Sequence, residues 1–192
     1  MNLSPVIPVL VLALAAPVLL AEDNDADDTN GSDNEAPDLA ELVETKALFG
    51  HVERVQLEPG SIQVDARVDT GAARSSLSAV DIETFDHNGD SWVRFRFRTG
   101  DDDNDNGGSY GFELPVVEEI TIIQASGDET RYVVRLGLCI GEQFAETDFT
   151  LTDRTDLTYP VLVGRSFLAD IGLVSSRREY TMEPNCTTND ED

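Results

Sequence analysis

The sequence predicts an all-β domain. Apolar residues alternate with polar ones in short runs, turn residues separate those runs, and helical periodicity is nearly absent. The chain has 192 residues, which is enough for one domain with a substantial core and too few for two once the ends are set aside. We therefore predict a single domain over residues 46–182.

Both ends are predicted to lie outside this domain. Residues 1–21 are apolar apart from Asn2 and Ser4, which indicates a cleaved export signal and a periplasmic or secreted protein. The absence of Lys or Arg before the apolar run counts against a cleaved signal, and an uncleaved membrane anchor, from which the linker would tether the domain, is the alternative. Residues 22–45 hold ten acidic side chains and no basic one, which predicts a disordered linker. Residues 183–192 are predicted to be a disordered acidic tail.

The strands are predicted from alternation and from the turns between them. The residues at 62, 64, 66 and 68 place four apolar side chains on one face, and Asn88-Gly89 is the strongest hairpin signal in the chain. The strand at 92–97 has arginines on its polar face, which is read as solvated, with a binding stripe as the alternative. In order, strands are expected at 48–57, 62–68, 81–85, 92–97, 116–125, 131–140, 144–152, 159–164, 173–174 and 180–182, with one short helix over 165–171.

The charge of the chain excludes several partners. Its formal net charge is −25, and the 24 acidic and 13 basic residues between Lys46 and Met182 leave −11 for the predicted domain. Nucleic acids and anionic membranes attract clustered positive charge, so neither is an expected partner. We expect membrane contact only if the leader stays uncleaved.

Two cysteines allow one disulfide bond. Cys139 lies in a predicted apolar strand and Cys186 in the polar C-terminal segment. A bridge between them fits an oxidising compartment, and a buried free thiol at Cys139 is the alternative.

The candidate catalytic residue is Asp69, which ends the second predicted strand and begins Asp69-Thr70-Gly71-Ala72. Two carboxylates within about 3 Å cannot both ionise, so such a pair keeps one proton and serves as both acid and base in water-dependent peptide hydrolysis. Gly71 allows the tight turn, and Thr70 offers a hydroxyl that braces it. A second Asp-Thr-Gly or Asp-Ser-Gly is absent from the sequence. The second carboxylate must therefore come from elsewhere.

These residues carry a resemblance to a known family. Segments 67–72 and 161–168 resemble the paired motifs of retropepsins, the single-domain viral aspartic proteases. A closer similarity is to a bacterial retropepsin-like family that is also labelled as ATP-dependent zinc proteases and often occurs with ATP-grasp ligases. The similarity covers about 47–182 and includes 69–72, 75–79, 92–95, 115–117, 131–134 and 164–165.

The resemblance implies a closed β-barrel, equivalent to half of a pepsin fold, that forms its active site by homodimerising. Asp69 is then the catalytic aspartate of each chain, while Thr70 and Gly71 lock the two loops together. One motif per chain is sufficient, because a two-fold axis duplicates it. Gly164 lets the downstream strand pass beneath the loop. The candidate substrate-binding residues are Ala72, Tyr110, Gly164 and Arg165, of which Arg165 is alternatively a structural residue.

Neither ATP nor zinc is expected to take part. The chain lacks Gly-x-x-x-x-Gly-Lys-Ser/Thr for phosphate binding, and it lacks His-Glu-x-x-His. Its only histidines are His51 and His87, and its two cysteines are far apart in sequence. We expect no cofactor and no metal at the catalytic centre.

The glycine-rich stretch at 102–113 has two further readings. The spacing of its acidic, Asn and Gly residues fits a calcium-binding loop that ends at Glu113, but the predicted flanking strands favour a solvated acidic loop. Residues 106–111, with Tyr110 facing inward, are one candidate for a flap over the substrate, and the hairpin at Asn88-Gly89 is the other. Ser75, Ser76 and Ser78 lack a Gly-x-Ser-x-Gly context and are read as turn and strand residues.

The function expected from these observations is that of an aspartic endopeptidase acting as a homodimer. An inactive periplasmic binding or regulatory module of the same fold is the main alternative. Hydrolysis of another amide, such as a cell-wall or glutamate-linked peptide, is a third reading.

Overall fold

The computed structural model describes residues 46–100, 108–122 and 127–186. These residues belong to one compact unit and form ten strands and one short helix. The strands are β1 Ala47–Glu58, β2 Ile62–Val68, β3 Ser75–His87, β4 Asp90–Arg98, β5 Ser109–Pro115, β6 Glu118–Ile122, β7 Glu129–Ile140, β8 Gln143–Thr152, β9 Val161–Val163 and β10 Gly172–Glu179, and the helix α1 is Arg165–Leu168.

Six of the strands close into a barrel. The order is β1-β2-β9-β3-β8-β7, and β7 returns to β1 where Gln56 pairs with Cys139. β2 and β9 run parallel, as do β3 and β8, so the barrel is mixed. The predicted all-β closed barrel with one short helix near its C-terminal end is confirmed.

The core follows the period-two alternation of the strands. Ile62, Val64, Ala66 and Val68 all face the buried side of β2. On β4 the buried residues are Val93, Phe95 and Phe97, and the arginines between them are exposed. Arg94 and Arg96 pair with Glu113 and Asp81, which supports a solvated face rather than a binding stripe.

The hairpin between β3 and β4 turns where the sequence predicts. Asn88 and Gly89 have φ angles of 57° and 93°, the left-handed conformation that both central residues of a tight hairpin turn adopt. His87 pairs with Asp90 across the turn. The Asn-Gly prediction is confirmed.

Three strand and helix predictions are wrong. β5 was not expected, because Ser109, Tyr110 and Gly111 have the composition of a turn, but pairing with β4 along seven positions makes them a strand. The last strand is a single one, β10, which includes polar residues 175–179 because it pairs with β1, and Tyr180–Met182 lie outside it. The helix ends at Leu168 instead of 171.

The C-terminal segment is attached to the barrel at two places. Cys139 and Cys186 form a disulfide bond across 47 positions, which resolves the question that the sequence left open. Glu53 is fully buried and accepts hydrogen bonds from the Gly50 and Thr181 amides, at 2.5 Å and 2.9 Å. A buried carboxylate is tolerated here because donors surround it.

Replacing Glu53 by Ala is expected to destabilise the fold by about 1–3 kcal/mol, because the buried Gly50 amide and the half-buried Thr181 amide lose their acceptor. Chemical denaturation of both variants measures this against Glu113→Ala, which removes an exposed carboxylate paired with Arg94 and should cost about 0–1 kcal/mol. Equal losses in the two variants would contradict the assigned role of Glu53.

The predicted signal, linker and C-terminal tail lie wholly or largely outside the described residues, so the domain limits stay predictions. Within the ranges described, none of the helical structure is long and apolar enough to cross a membrane.

Candidate active site

The barrel brings three strand ends together around residues 69–74. β2 ends at Val68 and lies beside the parallel β9, which ends at Val163. β3 begins at Ser75 and pairs with β9 on its other side. The turn from β2 to β3 therefore lies against the turn from β9 to α1, although about 95 residues separate them in sequence.

Asp69 is held in a defined orientation within this turn. Its amide donates to the Val163 carbonyl at 2.9 Å, and its Oδ1 accepts from the Gly71 amide at 2.8 Å. Oδ2 accepts no hydrogen bond in the part of the chain that the structure describes. Asp69 is half-buried, whereas Thr70 and Gly71 are exposed. The carboxylate is thus oriented through one oxygen and leaves the other available to solvent, substrate or a second chain.

Gly164 is needed because another part of the backbone passes beside it. It is buried, and a Cβ on this residue would lie 2.4 Å from the carbonyl oxygen of Arg74. That separation is well inside van der Waals contact with a backbone atom, which cannot move aside as a flexible side chain does. The site turn and the residue before α1 are therefore packed directly together.

Arg165 connects α1 to the same turn. Its Nη1 donates to the carbonyls of Thr70 and Gly71 at 2.9 Å and 2.8 Å, and its amide donates to the Ala72 carbonyl at 2.9 Å. These contacts fit the structural reading of Arg165. The guanidinium itself is exposed, so contact with substrate stays a prediction.

Ser75, at the C-terminal end of the turn, forms a side-chain hydrogen bond with Gly164. The hydroxyl accepts a hydrogen bond from the Gly164 amide at 3.1 Å, and the residue is fully buried. This contact agrees with the structural reading of the serine cluster. No pattern in the sequence indicates that Gly164 is the hydrogen-bond partner of Ser75.

Replacing Ser75 by Ala should destabilise the fold by about 1–3 kcal/mol, because the buried Gly164 amide loses its acceptor. Thermal and chemical unfolding measure the loss, with Ser109→Ala as a control at an exposed serine of β5. A Ser75→Ala variant as stable as the control would show that this hydrogen bond contributes nothing.

Two of the predicted substrate-binding residues differ in their contacts with the turn. Ala72 is part of the turn, and its carbonyl accepts a hydrogen bond from the Arg165 amide. Tyr110 is on β5, 41% exposed, with its ring 6.3 Å from that of Phe97. No hydrogen bond joins Tyr110 to the turn within the described ranges, so its role in substrate binding stays a prediction without support from a contact.

The flap and calcium predictions are only partly covered. Residues 109–111, which belong to one predicted flap, are strand residues of β5, and 101–107 lie outside the described residues. Glu113, the last position of the predicted calcium loop, is in β5 and accepts from Arg94 at 2.7 Å. No group of three or more His, Cys, Asp or Glu residues is placed to hold a metal ion in the described part of the chain.

Comparisons with known proteins agree with this geometry. The RimB-like family profile, described as retropepsin-like aspartic endopeptidase RimB, matches residues 48–185. A crystal structure of a Legionella pneumophila protein of unknown function is similar, with 29% identity and a TM-score of 0.59, over 70% of this chain and 97% of that one.

Two curated relatives are described as probable alpha-L-glutamate ligases. The one from Parasynechococcus marenigrum is 38% identical over 120 residues, which is 62% of this chain and 25% of that protein. The one from Desulfotalea psychrophila is 33% identical over 114 residues, which is 59% of this chain and 24% of that protein. This chain thus spans about a quarter of the length of these relatives.

Proposed function

Because the chain belongs to the RimB-like family of retropepsin-like aspartic endopeptidases, we propose that it hydrolyses peptide bonds with a water held between two copies of Asp69. The observation that carries this proposal is the oriented Asp69 carboxylate in an exposed turn. Arg165 donates a hydrogen bond to this turn, and Gly164 and Ser75 are joined by a hydrogen bond beside it. A rigid support of this kind suits a group that must meet a symmetry-related copy of itself.

The second carboxylate is supplied by a homodimer. Each chain has one Asp-Thr-Gly, and a two-fold axis through the exposed Thr70 and Gly71 would bring the two turns together. Two adjacent carboxylates then share one proton. The ionised member takes a proton from the water as the water oxygen bonds to the scissile carbonyl carbon, and the protonated member donates its proton to the carbonyl oxygen. The C–N bond of this tetrahedral intermediate then breaks. The carboxyl group that took the proton from water gives it to the leaving amine, and one hydroxyl proton of the intermediate returns to the other carboxylate.

An exported location is part of the proposal. The leader at residues 1–21 and the bond between Cys139 and Cys186 support it, because disulfide bonds persist in oxidising compartments.

A peptide with glutamate linkages is the substrate class that we favour. The support is that the curated relatives, which match over part of their length, are described as probable alpha-L-glutamate ligases. A protease domain that acts on a product of such a ligase would need to recognise carboxylate side chains.

The proposal is tested by incubating the purified chain with tetra-α-L-glutamate and with an unfolded protein, and by identifying new termini by mass spectrometry. Sedimentation at about tens of micromolar gives the oligomeric state under the same conditions. Cleavage by a dimer is expected. A strict monomer without cleavage would instead favour the inactive binding or regulatory module, since one chain cannot present two copies of Asp69 to one water.

A further inference from the structure

Arg154, in the loop between β8 and β9, has a guanidinium that the protein uses only in part. Its Nε donates to the Tyr159 carbonyl and its Nη1 to the Ser76 hydroxyl, both at 3.1 Å. A guanidinium has five N–H donors, so these two bonds leave three. The residue is half-buried and lines a pocket of about 250 Å³. The side chain is thus fixed in position with donors left for a further partner.

Arg154 also differs from several other arginines of the domain in having no carboxylate partner in the described part of the chain. Burial lowers the pKa of its guanidinium from the ordinary value. By contrast, carboxylates that accept hydrogen bonds raise the pKa of four other arginines, namely Arg54, Arg74, Arg131 and Arg135. A half-buried cation that has no counter-ion among the described residues carries an unfavourable desolvation cost, which an anionic ligand would offset.

The adjacent carboxylate in sequence does not fill this place. Asp153 accepts from the amide and the hydroxyl of Thr155, at 2.9 Å and 2.7 Å. These hydrogen bonds and the charge of Arg98 lower the pKa of the Asp153 carboxyl, so it stays ionised and occupied on its own loop. The Asp153 carboxylate therefore makes no ion pair with Arg154.

The walls of the pocket suit one side chain that ends in a carboxylate. Arg98 lines it beside Arg154, Ser78 and Thr158 add hydroxyl groups, and Leu157 and Pro160 add apolar surface against which methylene groups can pack. The volume is below the roughly 300–1,000 Å³ typical of sites that enclose a whole small-molecule ligand. The size favours part of a larger ligand.

The pocket and the candidate active site are connected through β3 and β9. Ser76, which binds Arg154, follows Ser75, which binds the Gly164 amide. Ser76 also pairs with Leu162 on β9, two residues before Gly164. Pro160, which lines the pocket, precedes β9 and Gly164 follows it, so a peptide that extends from the Asp69 turn along β9 would bring one of its side chains to the pocket.

We propose that the Arg154 pocket is a specificity site that binds the side-chain carboxylate of an acidic residue in a peptide substrate. This inference rests on the proposed function, because it gives that peptidase a substrate class. The carboxylate accepts hydrogen bonds from the remaining donors of Arg154, and the adjoining hydroxyl groups supply further contacts.

The experiment separates binding from cleavage. In the Asp69→Asn background, tetra-α-L-glutamate and tetra-α-L-glutamine are titrated by calorimetry at physiological salt. We expect the glutamate peptide to bind about tenfold more tightly or better, as expected for hydrogen bonds to a charged group. Adding Arg154→Gln should abolish this preference, Arg154→Lys should keep part of it, and adding Arg94→Gln at an exposed, paired arginine should preserve it.

The ratio between the two peptides is the decisive quantity, because a general disturbance of the loop weakens both peptides alike. Equal binding of the two peptides, or a preference that survives Arg154→Gln, would overturn the proposal. In the active protein, Arg154→Gln should raise KM for the glutamate peptide more than it lowers kcat. A protein that binds with this preference but cleaves nothing would refute the proposed peptidase function and leave the pocket assignment standing.

Discussion

Replacing Asp69 by Asn is expected to lower kcat for peptide cleavage by about 10²–10⁴-fold or more, the range that general acid–base catalysis contributes. Asn keeps the shape of the side chain, and its carbonyl oxygen can still accept from the Gly71 amide, as Oδ1 does at 2.8 Å in the wild type. It cannot take up or release the proton that hydrolysis requires. The fold and the dimer should therefore survive while turnover is lost.

Asp81→Asn is the matched control for this variant. Asp81 lies on β3 with a φ of 54°, a left-handed conformation that Asn also tolerates well. Its kcat should stay within about twofold of the wild type, because surface substitutions of this kind have small effects. Steady-state kinetics and sedimentation on both variants give the comparison. Full activity in Asp69→Asn would remove Asp69 from the mechanism.

Replacing Gly164 by Ala is expected to damage both stability and activity. The added Cβ would lie 2.4 Å from the Arg74 carbonyl oxygen, so the turn that holds Asp69 must move. Overpacking of this kind costs about 1–3 kcal/mol or more. A displacement of about 1 Å at a catalytic group lowers the rate by about 10²-fold. Unfolding curves and kcat/KM measure the two effects separately.

Two other glycines provide the controls. A Cβ at Gly50 would lie 2.4 Å from the Arg178 carbonyl oxygen, between β1 and β10 and away from the Asp69 turn, so Gly50→Ala should reduce stability much more than activity. Gly111→Ala on β5 meets no atom within 4 Å and should change stability little. If Gly164→Ala were as stable as Gly111→Ala, the close packing assigned to the turn would be wrong.

The strands were predictable where one face of the strand is buried. The alternation at 62–68 and 92–97 indicates which side chains face the core, and Asn88-Gly89 predicts a turn that few other residue pairs make. β5 was missed because its strand state comes from pairing with β4 and not from its own composition. For the same reason, the polar half of β10 carries no strand signal of its own.

The site was only partly predictable from the sequence. Asp69-Thr70-Gly71 is a local pattern, and this pattern predicts a tight turn. The contacts of that turn with Gly164 and Arg165 depend on the parallel pairing of β2 with β9, which no local pattern encodes. No sequence pattern indicated a site at Arg154, because part of its environment comes from Ser76, which is separated from it by 78 positions in the sequence. Long-range pairing decides which polar residues meet, and a single sequence records that poorly.

The most direct test of the two-chain active site is a mixing experiment. Wild-type and Asp69→Asn chains are refolded together at a series of ratios and constant total concentration, and peptide cleavage is measured. If each active site needs Asp69 from two chains, activity falls as the square of the wild-type fraction, to about one quarter in an equal mixture. A linear fall, to about one half in the equal mixture, would mean that each chain works alone and would contradict the account.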